Sequence, residues 1–156
     1  MRHVEIELAA PGRGAAGVYR ILCDFERYPE HTDAVRSVRI AHGGDGRLLS
    51  SWEVFFRGGI LRWTEEDSFD PAGRAIRFRQ TEGDLDHFVG AWEVAEGPDG
   101  CVIRFVADFD LGIPALSALL EPIAERALRE AIGAIVAGLL AAPTPRAAPA
   151  PAPAGA

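Results

Sequence analysis

The 156-residue chain carries a formal net charge of −7, with 48% hydrophobic and 25% charged residues. That length supports one domain, because dividing it would leave two marginal cores, and no apolar run is long and uncharged enough to span a bilayer. The arginines are scattered among acidic residues, so there is no basic stripe to attract a phosphate backbone, and nucleic acid is not an expected partner.

The N-terminal MRHVEIEL alternates charged and apolar residues instead of placing a basic region before an apolar stretch. No secretory signal is read there, and a cytoplasmic location is expected. Val4, Ile6 and Leu8 alternate with His3, Glu5 and Glu7, the pattern of a strand with one wet face. Beyond Pro11, a residue suited to a helix start, Ala15, Val18, Tyr19, Leu22 and Phe25 recur at helical spacing. ERYPEH ends that helix, since Pro29 disfavours the α conformation at Tyr28. A short helix or turn is expected to follow.

From about Arg36 to Leu111, short β-type segments are punctuated by HGGDG, RGG, DPAG, EGD and EGPDG, which implies consecutive antiparallel hairpins. From Pro114 onward Leu116, Leu119, Leu120, Ile123, Ala127, Leu128, Ala131, Ile135 and Leu139 form an apolar helical stripe. Glu125 with Arg129 and Arg126 with Glu130 lie four apart on the other face. Pro122 lacks a backbone donor, so the main helix is expected to start there after a short turn. Past Ala142 the chain is almost wholly Ala and Pro. The expected organisation is a domain over residues 1–141 and a disordered tail over 142–156. Strand, helix, antiparallel strands and a long helix, in that order, make an α+β fold.

Gly12, Gly14 and Gly17 satisfy the G-x-G-x-x-G spacing of a dinucleotide site. The context opposes that reading: a Rossmann first strand is apolar on both faces, whereas Glu5 and Glu7 face water, and the later strands are joined by hairpins. G-x-S-x-G, H-E-x-x-H, the Walker loop and paired C-x-x-C are all missing. His3, His31, His42 and His87 have no ligand-like spacing, so neither a metal nor a cofactor is expected. Cys23 and Cys101 read as reduced, partly buried thiols.

The chemistry-bearing segment is ILRWTEEDSFD. By the two-residue period Leu61, Trp63 and Phe69 share a strand face with Glu65 and Asp67, so a polar pair points the same way as the core. A symmetric hairpin at DPAG sets Phe69 opposite Ile76, Asp67 opposite Phe78, Glu65 opposite Gln80 and Trp63 opposite Glu82. The EGD turn then places Gln80 beside Phe88, Phe78 beside Gly90 and Ile76 beside Trp92, with Phe105, Ala107 and Phe109 on the next strand. Gly90 and Ala107, small among aromatics, are expected to leave a hollow.

An aromatic-walled face with a few convergent polar groups is what a small-molecule pocket requires. Glu65 and Asp67 are the catalytic candidates, because a buried carboxyl has its pKa raised toward a range useful for proton transfer. The alternative is that they sit at a wet rim or pair with Arg62 or Arg104. Tyr28, Trp63, Phe78, Gln80, Phe88, Gly90, Trp92, Phe105 and Ala107 are the expected substrate-binding residues. For Tyr28 an inward hydroxyl at the cavity mouth stands against simple packing of the loop. His87, alternating with Phe88, is expected to face outward.

DFERYPEHTDAVRSVRI, GGILRWTEEDSFDP, FRQTEGDLDHFVGAWEV and IRFVADFDLGIP together resemble the START-related helix-grip superfamily over about Val4 to Leu140. That superfamily includes polyketide cyclases, polyketide aromatases and coenzyme-Q-binding proteins. The resemblance implies a seven-stranded antiparallel sheet gripping a C-terminal helix over a hydrophobic cavity. Tetracenomycin-type aromatase/cyclases carry an arginine four residues after the strand tryptophan and a tyrosine beyond the W-P or Y-P turn. Here those places hold Asp67 and Val35, so acid/base chemistry by Glu65 or Asp67 would have to replace the arginine. The implied activity is a polyketide cyclase, with aromatisation or dehydration as companion steps, acting on an apolar poly-β-ketone that an acyl-carrier protein would present. The alternative is a non-catalytic carrier of a lipid or quinone. Monomer and homodimer remain equally open.

Overall fold

The computed structural model describes residues 1–43 and 47–141. The Ala/Pro tail, and the centre of the HGGDG turn, lie outside the described residues. Seven strands form one antiparallel sheet: β1 (Arg2–Pro11), β2 (Val35–His42), β3 (Leu48–Phe56), β4 (Gly59–Asp70), β5 (Ala75–Gly83), β6 (His87–Gly97) and β7 (Gly100–Asp110). Their spatial order is β1-β7-β6-β5-β4-β3-β2. Consecutive hairpins therefore run from β2 to β7, and β1 closes the far edge against β7. Such a sheet needs one long connection, from β1 at one edge to β2 at the other. It is made by α1 (Ala15–Cys23), a 3₁₀ turn (Phe25–Arg27) and α2 (Tyr28–His31).

The concave face of the curved sheet grips α3 (Ser117–Ala141), which follows a 3₁₀ turn at Pro114–Leu116. Ile132, Ile135, Val136 and Leu139 of α3 join Val4, Ile6, Ile76, Phe78, Trp92, Ile103 and Phe105 in one buried core. The α+β order read from the strand and helix patterns, and the helix-grip architecture that the resemblance implies, are thus the observed ones. GRGAAG serves as a loop: Gly12 donates to the Asp99 carbonyl, and Gly14 caps α1.

Four local expectations differ from the structure. Pro11 ends β1 instead of opening α1, which begins at Ala15. The first helix stops at Asp24, before ERYPEH, and Tyr28 adopts φ −54° and ψ −46°, so it is helical despite preceding Pro29. The bias against α before proline is overcome here by tertiary packing, because Tyr28 is 1% exposed and its ring lies edge-on to Phe25 and Trp52.

The long helix starts five residues before Pro122, which lies inside it. Pro122 and Ala118 are both on an exposed part of the helix, where the carbonyl that proline leaves without a donor can bond to water. That earlier start also rotates the stripe. Glu121 turns inward to the Met1 ammonium at 3.4 Å, while Leu116, Leu119 and Ile123 are exposed. The outer face keeps the expected Glu125–Arg129 pair at 2.9 Å and extends it to Arg2 at 2.7 Å.

Candidate active site

Register places the polar groups. β4 pairs with β5 so that Phe69 opposes Ile76, Asp67 opposes Phe78 and Glu65 opposes Gln80. β5 and β6 then set Phe78 against Gly90 and Ile76 against Trp92, and β6 and β7 set Gly90 against Ala107 and Trp92 against Phe105. These pairs follow from matching apolar with apolar or small residues on the buried face.

The symmetric hairpin fails beyond Glu65. A β-bulge leaves Thr81 unopposed, so Thr64 faces Glu82 and Trp63 faces Gly83, not Glu82. Gly83 has φ +154°, and a Cβ there would lie 2.5 Å from Trp63 Cβ. Only glycine permits that approach, and the bulge keeps Glu82 away from the tryptophan.

A partly open space of about 60 Å³ lies between the sheet and α3. Phe25, Tyr28, Trp52 and Val54 wall one side, and Phe78, Phe88, Trp92 and Phe105 another. Leu128, Ala131, Ile132 and Ile135 of α3 form the roof, and Phe56, Leu61 and Trp63 complete the wall. Phe56, Leu61, Trp63 and Leu128 are half-buried and mark the side nearest solvent. A smaller apolar space of about 20 Å³ adjoins it and shares Phe56, Leu61, Phe88 and Leu128. The larger space admits only a few waters, so a ring-sized guest must displace the walls.

Glu65 is the sole ionisable carboxyl among the described residues of this lining. It is 5% exposed and Asp67 is 2% exposed. Trp63 Nε1 donates to Glu65 Oε1 at 2.7 Å, Ser50 Oγ donates to Asp67 Oδ2 at 2.5 Å, and Trp52 Nε1 donates to Ser50 Oγ at 2.8 Å. The indoles of Trp52 and Trp63 stack with centroids 5.9 Å apart, which aims both N–H groups into this corner. Asp67 does not line the cavity and lies behind Glu65, its Oδ1 buried without a partner.

Burial, reinforced by the hydrogen bond and charge of Asp67, pushes the Glu65 carboxyl well above the usual carboxylate range, against the donation of Trp63. Burial also raises Asp67, but hydrogen bonds from Glu65 and Ser50 hold it down. Neither candidate arginine reaches them. Arg62 pairs with Glu53 at 2.8 Å, and Arg104 pairs with Glu5 and Glu93 at 3.0 and 3.1 Å. The burial of both carboxyls also places them away from a wet rim.

Of the expected binding residues, Tyr28, Trp63, Phe78, Phe88, Trp92 and Phe105 meet at the cavity, whereas Gln80, Gly90 and Ala107 do not line it. The hollow foreseen at Gly90 is filled by the Phe78 ring, whose Cζ lies 2.7 Å from where a Cβ on Gly90 would stand. Gln80 bonds through Nε2 to the Leu85 carbonyl at 2.7 Å, with Oε1 buried and unpartnered. Tyr28 contributes its ring only, since its hydroxyl donates to the Leu22 carbonyl at 2.6 Å.

Ser50, Trp52 and Phe25 were missed as site residues. Ser50 is one of two adjacent serines, and nothing local to it signals that it opposes Glu65 across the β3–β4 ladder. Leu128, Ala131 and Ile135 of the α3 roof belong to the apolar stripe read from the sequence, and Ile132 does not. Among the described residues no three of His, Cys, Asp and Glu are gathered so as to hold a metal ion, Cys23 and Cys101 are free thiols, and no helix is long and apolar enough to cross a membrane.

Comparison with known proteins agrees with this architecture. A family model described as polyketide cyclase/dehydrase and lipid transport matches residues 13–136. TTHA0849 from Thermus thermophilus superposes with a TM-score of 0.80 at 26% identity, covering 90% of this chain and 95% of that one. The Zhui aromatase/cyclase from Streptomyces sp. R1128 gives 0.74 at 22% identity, over 90% and 92% of the two chains. The major latex-like protein 151 of Panax ginseng shares the fold at 0.71 with 13% identity, over 90% and 95%.

Proposed function

Because the chain belongs to the polyketide cyclase/dehydrase and lipid transport family, we propose that it is a cyclase which closes and dehydrates an apolar poly-β-ketone inside the α3 cavity, with Glu65 as the proton carrier. The observation that supports this most is a buried carboxyl, its pKa raised by burial and by Asp67, facing an otherwise apolar cavity. Glu65 as an acid donates its proton to an acceptor ketone oxygen while the enol carbon of the same chain attacks that carbonyl carbon. The new C–C bond leaves a tertiary alcohol. The enol O–H proton, released as that enol becomes a ketone, returns to the Glu65 carboxylate; Glu65 then protonates the departing hydroxyl, which leaves as water, and takes a proton from the neighbouring carbon, so it ends as it began. Asp67 touches no reacting atom in this scheme and acts through Glu65. The apolar walls exclude bulk water and hold the chain bent, which supplies orientation.

The test is turnover of a synthetic β,δ,ζ-triketo N-acetylcysteamine thioester, whose α-carbon can close a six-membered ring on the ζ-ketone, followed by chromatography with mass detection. Glu65→Gln should lower turnover by about 10²- to 10⁴-fold. Binding, read from quenching of tryptophan fluorescence, should persist. Unchanged turnover in Glu65→Gln sinks the assignment. Absence of turnover in the wild type, together with a lipid or quinone that co-purifies in native mass spectra, favours the carrier reading, whose support is the apolar lining. An acyl-carrier protein as presenting partner would show as faster turnover of the same chain when tethered.

A further inference from the structure

Ser50 is fully buried at 0% exposure and stands between an indole and a carboxylate. An indole N–H can only donate, and that of Trp52 donates to Ser50 Oγ at 2.8 Å. With Trp52 on that side of the oxygen, the serine hydrogen points to Asp67 Oδ2 at 2.5 Å. A fixed donor on a carboxylate oxygen favours the ionised form. Glu65 Oε1 is likewise occupied, by Trp63 Nε1 at 2.7 Å, which leaves its second oxygen to carry a proton.

We propose that Ser50, clamped by Trp52, is a positioning residue that keeps the negative charge of the acidic pair on Asp67 and the proton on Glu65, the member that faces the cavity. The inference rests on the acid–base reading of this cavity. A proton on Asp67 would be out of a substrate's reach, since Asp67 is absent from the lining. Among the described residues no other charge reaches the pair from within, and Glu66, from the opposite strand face, acts on Asp67 by its charge, which raises its pKa. Tyr28 faces it from α2 with its hydroxyl committed to Leu22, Gln80 opposes Glu65 from β5, and α3 presents only Leu128, Ala131, Ile132 and Ile135. Glu66, on the opposite strand face, bonds outward to Arg47 and Arg79.

The experiment is infrared spectroscopy of the ligand-free protein at neutral pH, read at the C=O stretch of protonated carboxyls, with isotope-labelled glutamate or aspartate. Loss of the band in Glu65→Gln assigns it to the acidic pair. In the wild type the band should move with labelled glutamate and ignore labelled aspartate. Removing one hydrogen bond to a charged group should change the ratio of the two one-proton forms about 10- to 100-fold. In Ser50→Ala the band should therefore pass in part to labelled aspartate, and Ser50→Thr should restore it to glutamate. Trp52→Phe keeps a ring and removes the clamp, and should shift the band in the same sense if Ser50→Ala does not fold. A band unchanged in Ser50→Ala and Trp52→Phe, or one that follows aspartate in the wild type, overturns the proposal. Absence of any protonated carboxyl overturns the acid–base reading itself, a separate result.

Discussion

Replacing Glu65 by glutamine should make the protein less active but more stable, and the gain should grow with pH. Folded Glu65 has its carboxyl raised above the ordinary 4.5 by burial and by Asp67. A raised acid contributes its stability fully below the unfolded value and loses it as pH climbs toward the folded one, because the unfolded chain releases the proton first. For one proton the slope is at most about 1.4 kcal/mol per pH unit. Glutamine keeps the shape and an oxygen for the Trp63 N–H, so the variant lacks the slope without losing that 2.7 Å bond. Glu5, Glu53, Glu66 and Glu125 are lowered by their partners and act in the opposite sense, but they are common to both proteins and cancel in the difference. Urea unfolding followed by tryptophan fluorescence, from about pH 5 to about pH 8, measures that difference directly. The two curves should meet at the acidic end and separate as pH rises. Parallel curves would refute the claim that Glu65 is folded into the protein in its neutral form.

Gly90→Val should destabilise by about 1–3 kcal/mol or prevent folding, since the new side chain meets the Val106 carbonyl and the Phe78 ring; a midpoint of denaturation within error of wild type would contradict the packing described. Tyr28→Phe retains the ring and removes only the bond to the Leu22 carbonyl, so the expected loss is about 0.5–1.5 kcal/mol in the same assay, and a much larger loss would mean that the hydroxyl has another task. Ile135→Ala should cost about 2–5 kcal/mol and enlarge the cavity roof, so that naphthalene-sized probes bind more tightly by tryptophan quenching; weaker binding would place the guest elsewhere.

Much of the fold could be read from residue order alone, because the two-residue period and the turn signals of the hairpins are local. The pairs Asp67–Phe78, Phe78–Gly90 and Trp92–Phe105 follow once each turn is located, since a slip by one residue would bury charge. The inward direction of Glu65 and Asp67 follows from the same alternation, as does the aromatic wall. Breaks in regularity were not legible. A bulge at Thr81, a helical Tyr28 before proline and a helix that runs through Pro122 each set a local preference against packing, and packing prevailed.

The division between the two carboxyls belongs to the tertiary structure. By sequence Glu65 and Asp67 are two equivalent positions on one strand face. Only the neighbouring strand brings Ser50 and Trp52 to Asp67, and only the curvature of the sheet over α3 puts Glu65 on the cavity and leaves Asp67 behind it. Strand periodicity determines which face a side chain takes; its neighbours on that face, and hence its proton, depend on residues far away in the chain. For the same reason Gly90 and Ala107 looked like a hollow: volume is decided by what packs in from across the core, and there Phe78 does so.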